Sequence, residues 1–257
     1  MDSISFWFKL IGFIVIGIPI GLIVFFIIRT IKKSVVKPDE KTVKNQQSSM
    51  LTKLKQKQSN LTTWSSGQLV EISNNTDYNY STGVYQKFNG YIFSSNNERL
   101  IAFRRIDHGL SIDSKIMAAT SAQIFYFEAN PTETILYINE KLQGYLKNNG
   151  ILLDKNGTKL GQINRDQTPS SAYSLIMNGT KVALIAKNSD RRNLVKNQFH
   201  KAHSISGSEK ALLWDKDPEF NNSMVKLLRG TTTNENDWIL ALIILELVTF
   251  GIDFTQK

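Results

Sequence analysis

The thirteen residues Trp238 to Phe250, Trp-Ile-Leu-Ala-Leu-Ile-Ile-Leu-Glu-Leu-Val-Thr-Phe, constrain this chain more than any other stretch. Thr232-Thr233-Asn234-Glu235 precedes them; Thr232 and Glu235 have capping-box spacing, and Asn234 or Asn236 is a further cap candidate. A helix over 238–250 is apolar on every face, so it must be enclosed by a large core or by lipid. A membrane span needs about 20 residues, and this segment is shorter and contains Glu246, so core burial is the expectation. A two-layer fold cannot surround a helix, whereas a closed β-barrel can. The cost of a carboxylate in that setting means Glu246 should meet a basic partner at a barrel end, with a proton-sensitive switch as the alternative.

The rest of residues 61–257 supplies the material for such a barrel. Asn-Gly recurs at Asn89-Gly90, Asn149-Gly150, Asn156-Gly157 and Asn178-Gly179, and this dipeptide accepts the positive φ angles of tight hairpins. Strand-like runs flank the turns: Leu100 to Arg104, Ala122 to Glu128, Thr134 to Ile138, Ile151 to Leu153, Lys159 to Ile163, Ser174 to Met177 and Lys181 to Ala186. Two units share one skeleton, Leu153 to Ile163 and Leu175 to Ile185: an apolar strand, Asn-Gly, Thr-Lys, then a strand ending in Ile. Successive hairpins of this kind build an antiparallel meander, and the commonest hairpin turn accounts for the likeness without a functional repeat.

Asn236-Asp237-Trp238, the apolar run through Leu247 and the close Gly251-Ile252-Asp253-Phe254 resemble the helix and ending of scramblase-type proteins. The hairpin Leu152 to Gln162, with its Asp-Lys-Asn-Gly turn, is similar to strand pairs that recur there. On these residues the region from Gln68 to Phe254 resembles the superfamily of tubby C-terminal domains, LURP-one-related proteins and phospholipid scramblases. The resemblance implies a mainly β fold, an antiparallel barrel enclosing an apolar C-terminal helix. The chain departs from scramblases in where its membrane segment lies and in having no cysteine, so the likeness carries the fold rather than an activity.

The N-terminal part is of a different kind. Leu10 to Ile28 holds 19 residues without a charged side chain, which as a helix would span about 28 Å, close to the hydrocarbon thickness. Arg29, Lys32 and Lys33 follow where a cleaved signal peptide would present small residues, so an uncleaved transmembrane helix over 10–28 is expected, after a short segment 1–9. Gly17 and Gly21 form a G-x-x-x-G pair, ordinary in membrane helices and a weak dimer signal.

The net charge of +9 belongs mostly to residues 29–57, which hold nine Lys/Arg and two acids; residues 58–257 carry only +2. That partition argues against nucleic acid as a partner. It also places the C-terminal domain on the cytoplasmic side by the positive-inside bias. Residues 29–60 read as a basic linker, rich in Lys, Gln, Ser and Thr, in which Met50, Leu51 and Leu54 make one amphipathic turn suited to a membrane surface.

No motif for catalysis appears in this chain. The absence of cysteine removes disulfides, thiolate nucleophiles and Cys-ligated zinc. His200 and His203 share helical spacing but lack further ligands beyond the distant Asp190 and Glu209, and His108 stands alone. Asp215 and Asp217 before Pro218 read as turn formers. No metal or cofactor is therefore expected. The densest positive spots of the domain are Arg104-Arg105 and Arg191-Arg192, the latter followed by Lys196 and Lys201. In tubby-like domains a basic surface holds phosphoinositide headgroups, so the resemblance implies lipid binding at Arg104, Arg105, Arg191 and Arg192. The reading is a single-pass, membrane-anchored binding or scaffold module contacting anionic lipid headgroups or a protein partner. Its alternatives are an enzyme whose site sequence does not reveal and an extracytoplasmic domain with reversed topology.

Overall fold

Strand follows strand in chain order in the computed structural model, which describes residues 20, 24–25, 40–81, 85–108, 113–164, 172–187 and 223–248. The strands are β1 Ile72–Ser81, β2 Tyr85–Ser94, β3 Arg99–His108, β4 Ser114–Ala119, β5 Ile124–Ala129 and β6 Glu133–Ile138. They continue as β7 Lys141–Lys147, β8 Ile151–Asp154, β9 Lys159–Asn164, β10 Ala172–Met177, β11 Thr180–Ala186 and β12 Val225–Leu227. Each pairs with its neighbours in sequence, all antiparallel, in one 12-stranded sheet.

The sheet curls until its ends nearly meet. Ser73 bridges Ser223, the Met224 amide donates to the Ile72 carbonyl at 2.7 Å, and the Ala186 amide donates to Met224 at 3.0 Å. Ser223 Oγ also donates to the Val70 carbonyl, at 2.6 Å. Residue 224 thus joins both ends of the sheet, and the fold is a nearly closed antiparallel barrel. Closure satisfies the backbone groups that an open edge leaves exposed.

Side chains alternate between the two faces of the wall. Phe125 and Phe127 of β5 and Leu136 and Ile138 of β6 point inward, each at most 7% exposed, while Tyr126 and Tyr137 between them point outward. The interior is filled by the C-terminal helix, α2 Thr233–Val248. From Trp238 to Val248 every residue is buried, packed in one core with the inward residues of the strands. Each large aliphatic side chain so buried contributes about 1.5–3 kcal/mol.

The capping box closes the start of α2: the Thr232 amide donates to the Glu235 carboxylate at 2.9 Å, and the Glu235 amide to Thr232 Oγ1 at 3.3 Å. At the other end Arg105 donates to the Val248 carbonyl at 3.0 Å, meeting one of the acceptors that a helix C-terminus leaves unpaired. Glu246, 6% exposed, is buried near that end and engaged there.

Three Asn-Gly pairs form turns, as expected. Gly150, Gly157 and Gly179 have φ of 82°, 83° and 77°, between β7 and β8, β8 and β9, and β10 and β11. Asn89-Gly90 does not: it lies inside β2, opposite Asn79 and Tyr78 on one side and Arg104 and Phe103 on the other. Hydrogen bonding to two long neighbours outweighs the local turn preference there.

Among the described residues no helix is long and apolar enough to cross a membrane. The expected span 10–28 lies outside them apart from Ile20, Val24 and Phe25, which are helical and each about half exposed. The segment read as a basic linker differs from that expectation within the described residues. Its second half is a 19-residue helix, α1 Glu40–Gln58, docked on the outside of the barrel against β3 and β4. Met50 and Leu54, at most 1% exposed, pack on Ala102, Ile106, Met117 and Ala119. Ala102 and Ala119 are cross-strand partners, and their small side chains form the shallow bed on which the helix rests. The amphipathic turn therefore covers the barrel. Gln58 Nε2 fastens the helix end, donating to the Thr120 carbonyl at 2.8 Å.

Candidate functional site

Arg104 and Arg105, adjacent in β3, project from opposite faces of the wall because successive strand residues alternate. Arg105 turns inward. Its Nε donates to Asp107 at 2.6 Å, its guanidinium stacks over the Phe88 ring at 5.3 Å and caps α2, and Ser114 Oγ donates to the same Asp107 oxygen at 2.7 Å. Arg104 turns outward, so the pair does not form one patch. Arg191 and Arg192 lie outside the described residues, as do His200, His203, Asp190, Glu209, Asp215 and Asp217. His108 closes β3.

Around Arg104 the outer wall gathers other cations. Asn89, its partner on β2, accepts a hydrogen bond from Lys57 Nζ in the last turn of α1 at 3.2 Å. Lys57 Nζ and the Arg99 guanidinium each stand 4.7 Å from the centre of the Tyr91 ring. Burial lowers the Lys57 pKa most, and the charges of Arg104 and Arg99 lower it further, opposed by Asp77. Burial also lowers that of Arg104, whose Nε is fully covered and has no hydrogen-bond partner in the protein. The result is two cations over one aromatic ring with Arg104 close enough to act on Lys57, and Asp77 as the opposing carboxylate.

A second outer-face feature adjoins α1 between Lys44 and Leu51. A groove of about 700 Å³ runs between the helix and strands β4–β6. Met117, Tyr126 and Tyr137 form one cross-strand row along its floor, continuing the row that begins with Asn89 and Arg104. The Tyr126 hydroxyl accepts from Gln47 Nε2 of α1 at 2.7 Å and donates to Glu128 Oε1 at 2.9 Å. Burial, reinforced by the Glu128 charge and opposed by the Gln47 bond, pushes the Tyr126 phenol far above its ordinary pKa, so it stays neutral. Burial and Glu128 push Tyr137 the same way. Lys115, opposite Glu128 on β4, is lowered by burial while Glu128 and Asp113 hold it up.

Neither feature was visible as a motif. Lys57 comes from α1 and Arg99 and Arg104 from β3, while Gln47, Tyr126 and Tyr137 come from three separate elements. The one usable signal was Tyr126 in the run Phe125-Tyr126-Phe127, where strand alternation places the hydroxyl-bearing ring outside. Among the described residues no group of three or more His, Asp or Glu side chains is placed to hold a metal ion. Comparison of the chain with protein-family models, with curated proteins and with solved structures finds no match.

Proposed function

We propose that this chain is a membrane-anchored binding module that holds anionic lipid headgroups on the outer barrel face at Lys57, Arg99 and Arg104. The observation that carries the reading is the covered, unpartnered Nε of Arg104 beside two further cations. Like charges are brought together at a cost, and an anion relieves it. An apolar helix inside a β-barrel supports the likeness to tubby-type domains, in which such a surface meets phosphoinositides. Eleven residues, 29–39, separate Ile28 from Glu40, and fully extended they reach no more than about 40 Å. A domain held that close needs little intrinsic affinity, since its second contact is intramolecular. Each cation near an anionic surface contributes about 1 kcal/mol.

The test uses full-length protein in nanodiscs and the rate at which an amine-reactive reagent acylates Lys57. Anionic lipid should slow that reaction several-fold relative to neutral lipid, and high salt should abolish the difference. Equal rates in both discs at low salt would refute the proposal. A reporter active only in the cytoplasm, fused after Lys257, should be active if the basic residues after Ile28 set the orientation.

A further inference from the structure

We infer that the groove between α1 and strands β4–β6 is a binding site for a small organic cation, of the quaternary or tertiary ammonium kind. At about 700 Å³ it has the size of a small-molecule site. Its floor presents two tyrosine rings, Tyr126 and Tyr137, with centroids 5.8 Å apart and planes at 41°. An aromatic ring offers a cation its negative face, and burial keeps both phenols neutral. Glu128 and Glu140 supply negative charge, against Lys44 as the cation of the lining. Adding the flanking Asp113 and Lys115 leaves one net negative charge, and Arg104, paired with Met117, stands across Met117 from the two tyrosines.

The remaining walls select the kind of cation. Leu51, Met117 and Ile124 are apolar and would strip water from an inorganic ion without replacing it. A cation wrapped in methyl groups loses little hydration and gains contact with these side chains. Anions are excluded by the carboxylates. The site uses α1 residues 44–51, ahead of the last turn that carries Lys57, and does not depend on the headgroup reading. Gln47 spans from α1 to the Tyr126 hydroxyl, so the helix is itself a wall of the site.

Choline and its uncharged isostere 3,3-dimethylbutanol are the probes, titrated by calorimetry into full-length protein in maltoside micelles. Choline should saturate in the millimolar range, and the isostere should bind at least about tenfold more weakly, the loss expected when one desolvated cation–π contact is missing. Tyr137→Leu should weaken choline by a similar factor, while Tyr137→Phe, which keeps the ring face, should bind as the parent does. A weaker apparent choline affinity in phosphatidylcholine nanodiscs would assign the site to the lipid headgroup. Unchanged affinity would assign it to a soluble amine. Equal binding of choline and the isostere, no saturable binding of choline, or parental affinity in Tyr137→Leu would each overturn the inference. The first two comparisons need only the parent protein, so a variant that fails to fold leaves the test intact.

Discussion

Truncating α2 on three faces in turn tests whether it is enclosed by the barrel. Leu242, Ile243 and Ile244 follow one another at 100° steps around the helix axis, and each is at most 1% exposed. A helix lying on a sheet would turn at least one of three such positions to solvent, and alanine there would cost less than about 0.5 kcal/mol. In a filled barrel each truncation removes buried methyl and methylene groups and leaves a cavity, at about 2–5 kcal/mol. Against a total stability of about 5–15 kcal/mol, none of the three is negligible. At roughly 2–4 °C per kcal/mol for a domain of this size, each variant should melt about 4–20 °C below the parent. Leu228→Ala serves as the control, since Leu228 is 44% exposed and its truncation should shift the midpoint by no more than a degree or two. The assay is circular dichroism of the full chain in detergent, followed at a β-sheet wavelength so that the barrel is read. A parental melting temperature in any one of the three would show that face of α2 to be uncovered and the enclosure argument to be wrong.

Two further outcomes follow from backbone and charge. A Cβ at Gly161 would stand 2.2 Å from the Ile176 carbonyl oxygen across the β9–β10 pair, whereas one at Gly157 meets nothing within 4 Å. Gly161→Ala should therefore prevent folding or lower the melting temperature by more than 10 °C, and Gly157→Ala, strained only by its positive φ, should cost about 1 kcal/mol; equal effects would refute the close approach. Glu235 is held below the ordinary carboxylate pKa of 4.5, first by its bonds to the Arg229 guanidinium and then by the Thr232 amide. A depressed pKa stabilises the fold above the ordinary value, and that contribution is lost as pH falls through the folded-state pKa. The melting gap between parent and Glu235→Gln should accordingly be widest near neutral pH and close below pH 4.5, and a gap independent of pH would contradict the assignment. Burial raises Asp237, which gives the opposite slope, but that term is common to both proteins and cancels in the difference.

The parts legible in the sequence were those in which local pattern and final environment agree. β5, β6 and β9 alternate, three Asn-Gly turns adopt the geometry their residues prefer, and the nearly all-round apolarity of residues 238–248 reports enclosure directly. β1 escaped notice because Ile-Ser-Asn-Asn-Thr-Asp-Tyr-Asn-Tyr-Ser carries turn formers where a strand usually carries branched apolar residues. The β6–β7 turn escaped because Asn139-Glu140 holds positive φ at 49° and 66° without glycine. It is fastened instead to β5, where Asn139 exchanges hydrogen bonds with Ile124 through its amide and its side chain. α1 was hidden for another reason. Its inward residues, Gln47, Met50, Leu51, Leu54 and Gln58, do have helical spacing, but a narrow stripe in a basic segment acquires meaning only from the alanine bed that receives it. The Arg104-Arg105 pair was misleading as a patch, although a strand over 100–104 already implies that neighbours in sequence face apart.

Filling the barrel with α2 decides where function can reside. A lumen lined by 12 strands is the ordinary place for a ligand in such architectures, but here apolar side chains of the helix occupy it. Its polar groups near the end of α2, Arg105 and Asp107, are bound to each other, and Arg105 donates also to the Val248 carbonyl. What the filled lumen leaves accessible is the outer wall, where α1 divides the exposed surface of β2–β6 into two chemically opposite parts. Its last turn brings Lys57 to Arg99 and Arg104, placing positive charge where the helix dipole is negative. Its middle brings Gln47 to Tyr126 and Glu128, at a groove that is aromatic and acidic. Both ends are built partly from α1 and partly from the barrel, so undocking the helix dismantles the cationic cluster and the groove together. α1 is thus the element that the cationic cluster and the groove share.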